Sequence, residues 1–397
     1  MSPRARVTVR DVYRALDDHY PFAHRADWDN VGILAGDPAA PVRSVLVALD
    51  ATPAALALCG RMRPGLLLTH HPVVFTPLKS VRPDVPDSSA AYSLLRMGTA
   101  VISAHTNADV APRGVSWAVA RRLGLSGIRP LIPGEPSDAC KVAVFVPPDR
   151  ADAVMTAVSE AGGGRIGEYA RCSFRVSGIG TFLPSNAARP FAGRAGREEK
   201  VEEIRLETVV ARSRLPQALA AVRRAHPYEE PAIDVYPLVG GALGGGVGAV
   251  GDLRAPAPLD AALGEVFRRI RPSWIKVSGP RRRTVRRIAV VAGSGAEFAK
   301  AAREAGADLY VTGDVKYHQA LEAAAGTMAV ADVGHGSAER WILPEFRRVL
   351  SERFGKGLAV RVFMEKEPLR MFRPERMQRR SNIGGTMKRS TKGGTRR

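Results

Sequence analysis

The hydrophobic residues of this chain follow two rhythms. Short continuous apolar runs, SVLVALD (44–50), GLLLTH (65–70) and TAVISAH (99–105), have the pattern of strands buried on both faces. Between them the apolar positions fall at helical spacing, as in Val7–Tyr20, where Val9, Val12, Tyr13 and Leu16 share one face. Thr52 and Pro53 read as an N-cap and first-turn proline, and further helices are expected near 88–97 and from Arg113. Strands alternating with helices predict a mostly parallel sheet.

The rhythm changes over residues 139–238. ACKVAVFV, RCSFRVSGIGTFLP, KVEEIRLETVV and AIDVYPL read as strands, with helices at DRADAVMTAVSEAG and RLPQALAAVRRA. The order strand, helix, strand, strand, helix, strand is that of a ferredoxin-like unit. GGALGGGVGAVG (240–251) reads as a flexible joint. Strand and helix then alternate again: a helix at 258–270, strands at 273–279 and 286–293, and a helix from Ala296. A strand at 308–314, a helix at 315–325, a strand at 328–334 and one long helix to about 353 follow. The expected architecture is a split α/β body with mostly parallel sheets, interrupted by a ferredoxin-like α+β insert. Its divisions fall at 1–130, 131–240 and 241–370, with a basic tail at 371–397.

Composition narrows this picture. Of 397 residues, 45% are hydrophobic and 25% charged, as in an ordinary globular protein. The apolar runs are all shorter than the roughly 18 residues that a membrane span needs. Cys59, Cys140 and Cys172 are scattered and form no C-x-x-C, which points to a reducing cytoplasm and leaves His and carboxylate to hold any metal. The net charge of +20 raises the question of nucleic acid, but 375–397 holds eight Lys/Arg against one acid. That stretch alone accounts for +7, and elsewhere the basic residues interleave with acids. The tail reads as disordered and suited to nonspecific contact with nucleic acid, whereas the body reads as a solvated basic surface.

Candidate chemistry lies at the strand ends. His70, His71, His105, His318 and His335 are five of eight histidines, and each follows an apolar strand. AHTNAD places Asp109 near His105, TGDVKYH places Asp314 near His318, and VGHGSAE places Glu339 one helical turn from His335. Nitrogen and carboxylate donors without sulfur suit Zn, Mn, Fe or Ni. Each feature also has a plainer reading: His105 as a hydrogen-bonded loop residue, and His335–Glu339 as a surface ion pair. AVVAGSGAEF (289–298) offers only G-x-G, too little for a dinucleotide fingerprint and explained by a tight turn with helix packing. HPYEEP (226–231) reads equally as a polar lip over a site or as a structured turn.

Taken in order, DWDNVG, THHPVVF, AHTNAD, HPYEEPAIDVYPL, TGDVKYHQA and VGHGSAE resemble the Nif-three-like dinuclear metal centre proteins, also called GTP cyclohydrolase I type 2 homologs. The resemblance covers about residues 6 to 362, and the insert resembles the PII/CutA-like domain of longer bacterial members. It implies two divalent ions per subunit: His71 and Asp109 on one, His70 and His335 on the other, with Glu339 bridging both. It also implies a toroidal homohexamer and, for some members, cyclohydrolase activity on GTP. Two function classes follow. One is a metal-dependent hydrolase of a nucleotide or related ring compound, with His105 or His318 as proton shuttle. The other is a protein that stores or delivers metal, or senses a ligand, without turnover. MEKEPLRMFRP and the basic tail extend beyond the length usual for this family.

Overall fold

The computed structural model describes residues 6–134, 139–166, 169–238, 245–281 and 283–369. Its first sheet takes its strands in the order Gly32–Ala35, Ala100–Ser103, Leu66–Thr69, Ser44–Ala48 and Ala359–Val362. All neighbours are parallel except the antiparallel edge strand Gly32–Ala35. Leu66–Thr69 lies at the centre and every residue in it is buried. A central parallel strand is covered on both faces, which is why its sequence is continuously apolar. Leu66, Leu68, Val45 and Val47 pack on one side with the helices Val9–Asp17 and Leu343–Phe354. Leu46, Leu67 and Val101 pack on the other, against Ala55, Leu58 and Leu94.

The second sheet has six strands: Lys276–Ser278, Ala329–Asp332, Leu309–Thr312, Thr284–Val290, Ala249–Pro258 and Ser126–Arg129. Only the three central strands run parallel, so this sheet is mixed rather than mostly parallel. Each sheet borrows an edge strand from the far part of the chain. Ala359–Val362 closes the first and Ser126–Arg129 the second.

Residues 139–237 form a separate four-stranded antiparallel sheet, in the order Ile233–Pro237, Ala139–Val146, Glu199–Ala211 and Ser173–Phe182. The helices Ala151–Glu160 and Leu215–Ala225 cover one face of it around Val142, Val144, Met155, Leu206 and Val222. This is the ferredoxin-like arrangement.

Three local expectations are corrected. The part of the expected joint that is described, from Gly245 onward, is not a loose connection. Gly246–Val247 pairs with Ile132–Pro133, and Ala249–Pro258 is a long strand with a bulge between Asp252 and Ala257. The bulge accommodates a proline-rich sequence inside a sheet. The long helix after 334 is broken into His335–Glu339, a tight turn at Arg340–Ile342 and Leu343–Phe354. Pro344 is acceptable only in a first turn, so a new helix starts there. The region from Ala296 is a short 3-10 turn followed by the six-residue helix Ala299–Glu304. The expected tail at 371–397 lies outside the described residues.

Candidate metal centre

At the end of the strand Leu66–Thr69, the next two N–H groups still bond to the adjacent strand Ser44–Ala48 and the residue after it: His70 to the Ala48 carbonyl and His71 to that of Leu49. This extended backbone sends the two side chains in different directions. The His70 ring is fully buried, with its Nδ1 2.8 Å from the Ala104 carbonyl. That bond requires Nδ1 to carry the proton, so Nε2 presents a bare lone pair. The His71 ring is less buried, with its Nδ1 2.8 Å from Asp50 Oδ1.

The same device recurs at the two other histidines of the cluster. The Nδ1 of His105 lies 2.9 Å from Asp29 Oδ1, and that of His335 lies 2.8 Å from Asp314 Oδ2. Four imidazoles are thus each held at Nδ1 by an oxygen and turned to offer Nε2, the arrangement typical of metal-ligating histidines. Asp314 reaches His335 from a left-handed backbone conformation, φ +54°. Its expected partner, His318, lies instead on the exposed side of the helix Tyr317–Ala325 beside Tyr317. Among the described residues no hydrogen bond, ion pair or ring contact joins His318 to the cluster, so the structure separates it from the other six.

Glu339 is the hub. It is 4% exposed, and its Oε2 lies 3.0 Å from both His71 Nε2 and His335 Nε2. Those two nitrogens are 3.4 Å apart. On the other side, His70 Nε2 lies 3.9 Å from Glu339 Oε1 and 3.7 Å from Asp109 Oδ1. The short helix Thr106–Asp109 delivers Asp109, while His105 stands beside both strand-end histidines with ring centres 5.2 and 5.4 Å away. Two groups of donor atoms each gather within 4.8 Å: His70, His71 and His105, and His71, His335 and Glu339. In these contacts His71 pairs with His335, and His70 with Asp109; the resemblance implies the opposite pairing about the same carboxylate.

Glycines make room for the hub. A Cβ on Gly293, which has φ +71°, would stand 2.0 Å from Glu339 Oε1. One on Gly313 would stand 2.9 Å from the His335 backbone nitrogen. The first glycine of the G-x-G in AVVAGSGAEF therefore serves close packing around Glu339, and the second, Gly295, packs against Val291 and Thr312. Two further acids fix the backbone from the C-terminal segment. Glu365 accepts from the N–H groups of Leu49 and Asp50, and Glu367 from the N–H and hydroxyl of Ser337.

The electrostatics fit a site built for cations. Burial pushes Glu339 toward the neutral form, but His335, His71 and His70 outweigh it and hold the carboxyl well below its usual range. Burial disfavours the charged form of His71, yet Asp50 and Glu339 raise it to about 10. His335 is raised in the same way to about 9, by Glu339 and Asp314. At His70 full burial outweighs the pull of Glu339, and with the neighbouring His71 and His105 it lowers the ring to about 3. Asp109 is pushed up to about 7 by desolvation and the charge of Glu339.

Do these residues suit metal ions? His70 Nε2 is buried without a hydrogen-bond partner. A buried lone pair with no proton to accept is costly, and a cation removes that cost. Ligands about 2.0–2.1 Å from a tetrahedral ion lie about 3.3–3.4 Å apart, close to the spacing at Glu339 Oε2. The donors fit.

HPYEEP is a structured turn. His226 Nε2 lies 2.9 Å from the Phe145 carbonyl and its Nδ1 accepts from the Tyr228 N–H, both within the four-stranded unit. Asp29, Asp50 and Asp314 were missed as orienting groups by sequence reasoning. Asp50 and Asp314 each had a signal, as an acid ending an apolar strand.

This is an α/β protein with two mixed sheets and, at their strand ends, a buried histidine–carboxylate cluster that could hold metal. The chain belongs to the Duf34/NIF3 (NGG1p interacting factor 3) family, whose model matches residues 7–368. It is 38% identical over 361 residues to a Mycobacterium tuberculosis protein described as a GTP cyclohydrolase 1 type 2 homolog, covering 90% of this chain and 94% of the relative. A Bacillus subtilis protein of the same description is 32% identical over 360 residues, covering 91% and 96%. Among solved structures, a Bacillus cereus protein related to NIF3 superposes with a TM-score of 0.80 at 30% identity, over 92% of this chain and 99% of that one.

Proposed function

We propose that this protein holds two divalent ions with His70, His71, Asp109, His335 and Glu339, and hydrolyses a nucleotide or related ring compound. The observation that carries the reading is the orphaned, fully buried His70 Nε2 facing the equally buried Glu339. Bound by these residues, such ions would supply an activated water and positive charge for hydrolysis. The chain's own residues do the rest. Asp50, Asp314 and the Ala104 carbonyl keep three imidazoles in the ligating tautomer. Glu339 offers one oxygen to each side of the site. His105, anchored by Asp29, turns its free Nε2 toward the cluster and is placed to accept and return a proton. His318, exposed beside Tyr317 and with no contact to the cluster among the described residues, is the weaker shuttle of the two expected from sequence. A homohexamer in the cytoplasm belongs to the same reading. So does nonspecific contact of the tail with nucleic acid.

Purified protein stripped with chelator and reloaded separately with Zn, Mn, Fe and Ni, then screened on nucleotides for ring opening and formate release, tests this. Turnover that needs metal and disappears in His105→Ala supports it. Two tightly held ions with no hydrolysis of any nucleotide would sink the hydrolase and leave metal storage or delivery, or ligand sensing, as the function.

A further inference from the structure

The DWDNVG motif does more than anchor His105. Asp29 is buried, with one oxygen on His105 and the other accepting from the Thr106 N–H and hydroxyl. The Ala26 N–H donates to the Thr106 hydroxyl, and Asn30 Nδ2 donates to the Val74 carbonyl, 2.6 Å away. A loop tied down at both ends in this way is rigid. Yet it leaves Trp28 64% exposed, beside Phe75, which is 50% exposed. The other three tryptophans, Trp117, Trp274 and Trp341, are buried or half-buried, each with a cationic side chain over its ring.

The location of this exposed pair gives it meaning. The ring centres of Trp28 and Phe75 are 5.9 Å apart and their planes are inclined by 56°. Trp28 meets the edge of His105 at 6.2 Å, and His105 in turn stands 5.2 and 5.4 Å from His70 and His71. The rings therefore run from open solvent to the metal-ligating imidazoles without a break, and only one of them, His105, separates the wall from the cluster. Aromatic faces on a rigid loop favour flat, unsaturated partners, because offset stacking uses a π-face that saturated groups lack.

We infer that Trp28 and Phe75 form a stacking wall for a planar heteroaromatic ring of the substrate and hold that ring against the His105 edge of the site. This rests on the reading of the cluster as the reacting centre and adds the class of group that it receives. Trp28 and Phe75 are positioning residues here; neither touches the ions.

The test uses full-length protein, both metal-loaded and chelator-stripped. Guanosine monophosphate, adenosine monophosphate and ribose 5-phosphate are titrated by calorimetry, with tryptophan fluorescence followed in parallel. Both nucleotides should bind and quench Trp28, and ribose 5-phosphate should bind at least tenfold more weakly. Trp28→Leu should weaken nucleotide binding about tenfold or more, while Trp28→Phe stays within about threefold, as stacking energies per base imply. Metal content should be unchanged in both variants. Equal affinity for ribose 5-phosphate, or full affinity in Trp28→Leu, would overturn the inference. So would a change of molecular mass in Trp28→Leu, which would make this face a contact between copies. Should wild-type protein hold no metal, the metal reading fails by itself, and the stripped-protein titration still decides the wall.

Discussion

Replacing Glu339 by Gln keeps the shape of the hub and removes its charge. Gly293 leaves room for the side chain at this position, and Gln has the same volume, so the fold should persist. Two imidazole nitrogens lie 3.0 Å from the affected oxygen, and 332/(εr) at an effective dielectric of ~20 gives about 5 kcal/mol for each such charge contact. Desolvation offsets much of that sum. A better guide is that removing even an outer-shell partner of a ligand costs 10–100-fold in metal affinity. A ligand shared by two ions should cost at least ~100-fold at each, or about 3 kcal/mol per ion. His70→Ala and His71→Ala each remove a ligand from one ion only. After dialysis against trace metal, elemental analysis should give about two ions per chain for wild type and about one for each histidine variant. Glu339→Gln should hold nearly none. Retention of two tightly held ions by Glu339→Gln would refute the bridging role and reduce His335–Glu339 to an ion pair. Its burial already argues against an ordinary surface pair, which would be worth under about 1 kcal/mol.

Other outcomes are open to measurement. Gly293→Ala should displace Glu339 and strain a left-handed backbone, so both metal content and Tm should fall, with more than about 1 kcal/mol of stability lost; unchanged metal content would show that the hub does not need the close approach. In metal-free protein, His71 and His335 are raised from 6.5 to about 10 and about 9, so the folded state keeps protons that the unfolded chain releases. Their stabilisation is complete below about pH 6.5 and is lost as pH rises through 9 to 10. His70 acts in the opposite sense, because its value of about 3 makes the folded state refuse a proton, and stability falls as pH drops below 6.5. Thermal melts of chelated protein should therefore decline continuously from about pH 6.5 to about pH 10, and Glu339→Gln should flatten that decline; an equally steep alkaline fall in that variant would contradict the assignment. Truncation after Pro374 should leave metal content and Tm intact and abolish any salt-sensitive retention on DNA or RNA, whereas loss of folding would show that the tail packs on the body.

The architecture was legible wherever burial on both faces wrote itself into a continuous apolar run, as at Leu66–Leu68, or where a cap announced a helix, as at Thr52. It was illegible where pairing alone makes a strand. Ser126–Arg129 is largely exposed, and Ala249–Pro258 carries one proline, Pro256, within a bulge and another, Pro258, at its last position. The candidate ligands were readable because histidines at strand ends are few and conspicuous. Their orienting carboxylates were not, since Asp29 and His105 are 76 positions apart. Proximity in sequence misled at Asp314, whose left-handed backbone turns its carboxylate to His335 and away from His318.

The separation of 264 residues between His71 and His335 has a consequence in time. At about 5–20 residues per second, a ribosome needs roughly 13 to 53 s between adding the first and the second. Once the chain has grown past His105, every strand of the sheet that carries His70 and His71 has been made except its last edge strand, Ala359–Val362. An ion arriving then meets nitrogen donors without the carboxylate of Glu339, and such a set ranks divalent ions by the Irving–Williams order, with copper tightest. If the cluster holds metal, the ions that the nascent chain meets before Glu339 arrives bear on which one it takes up first.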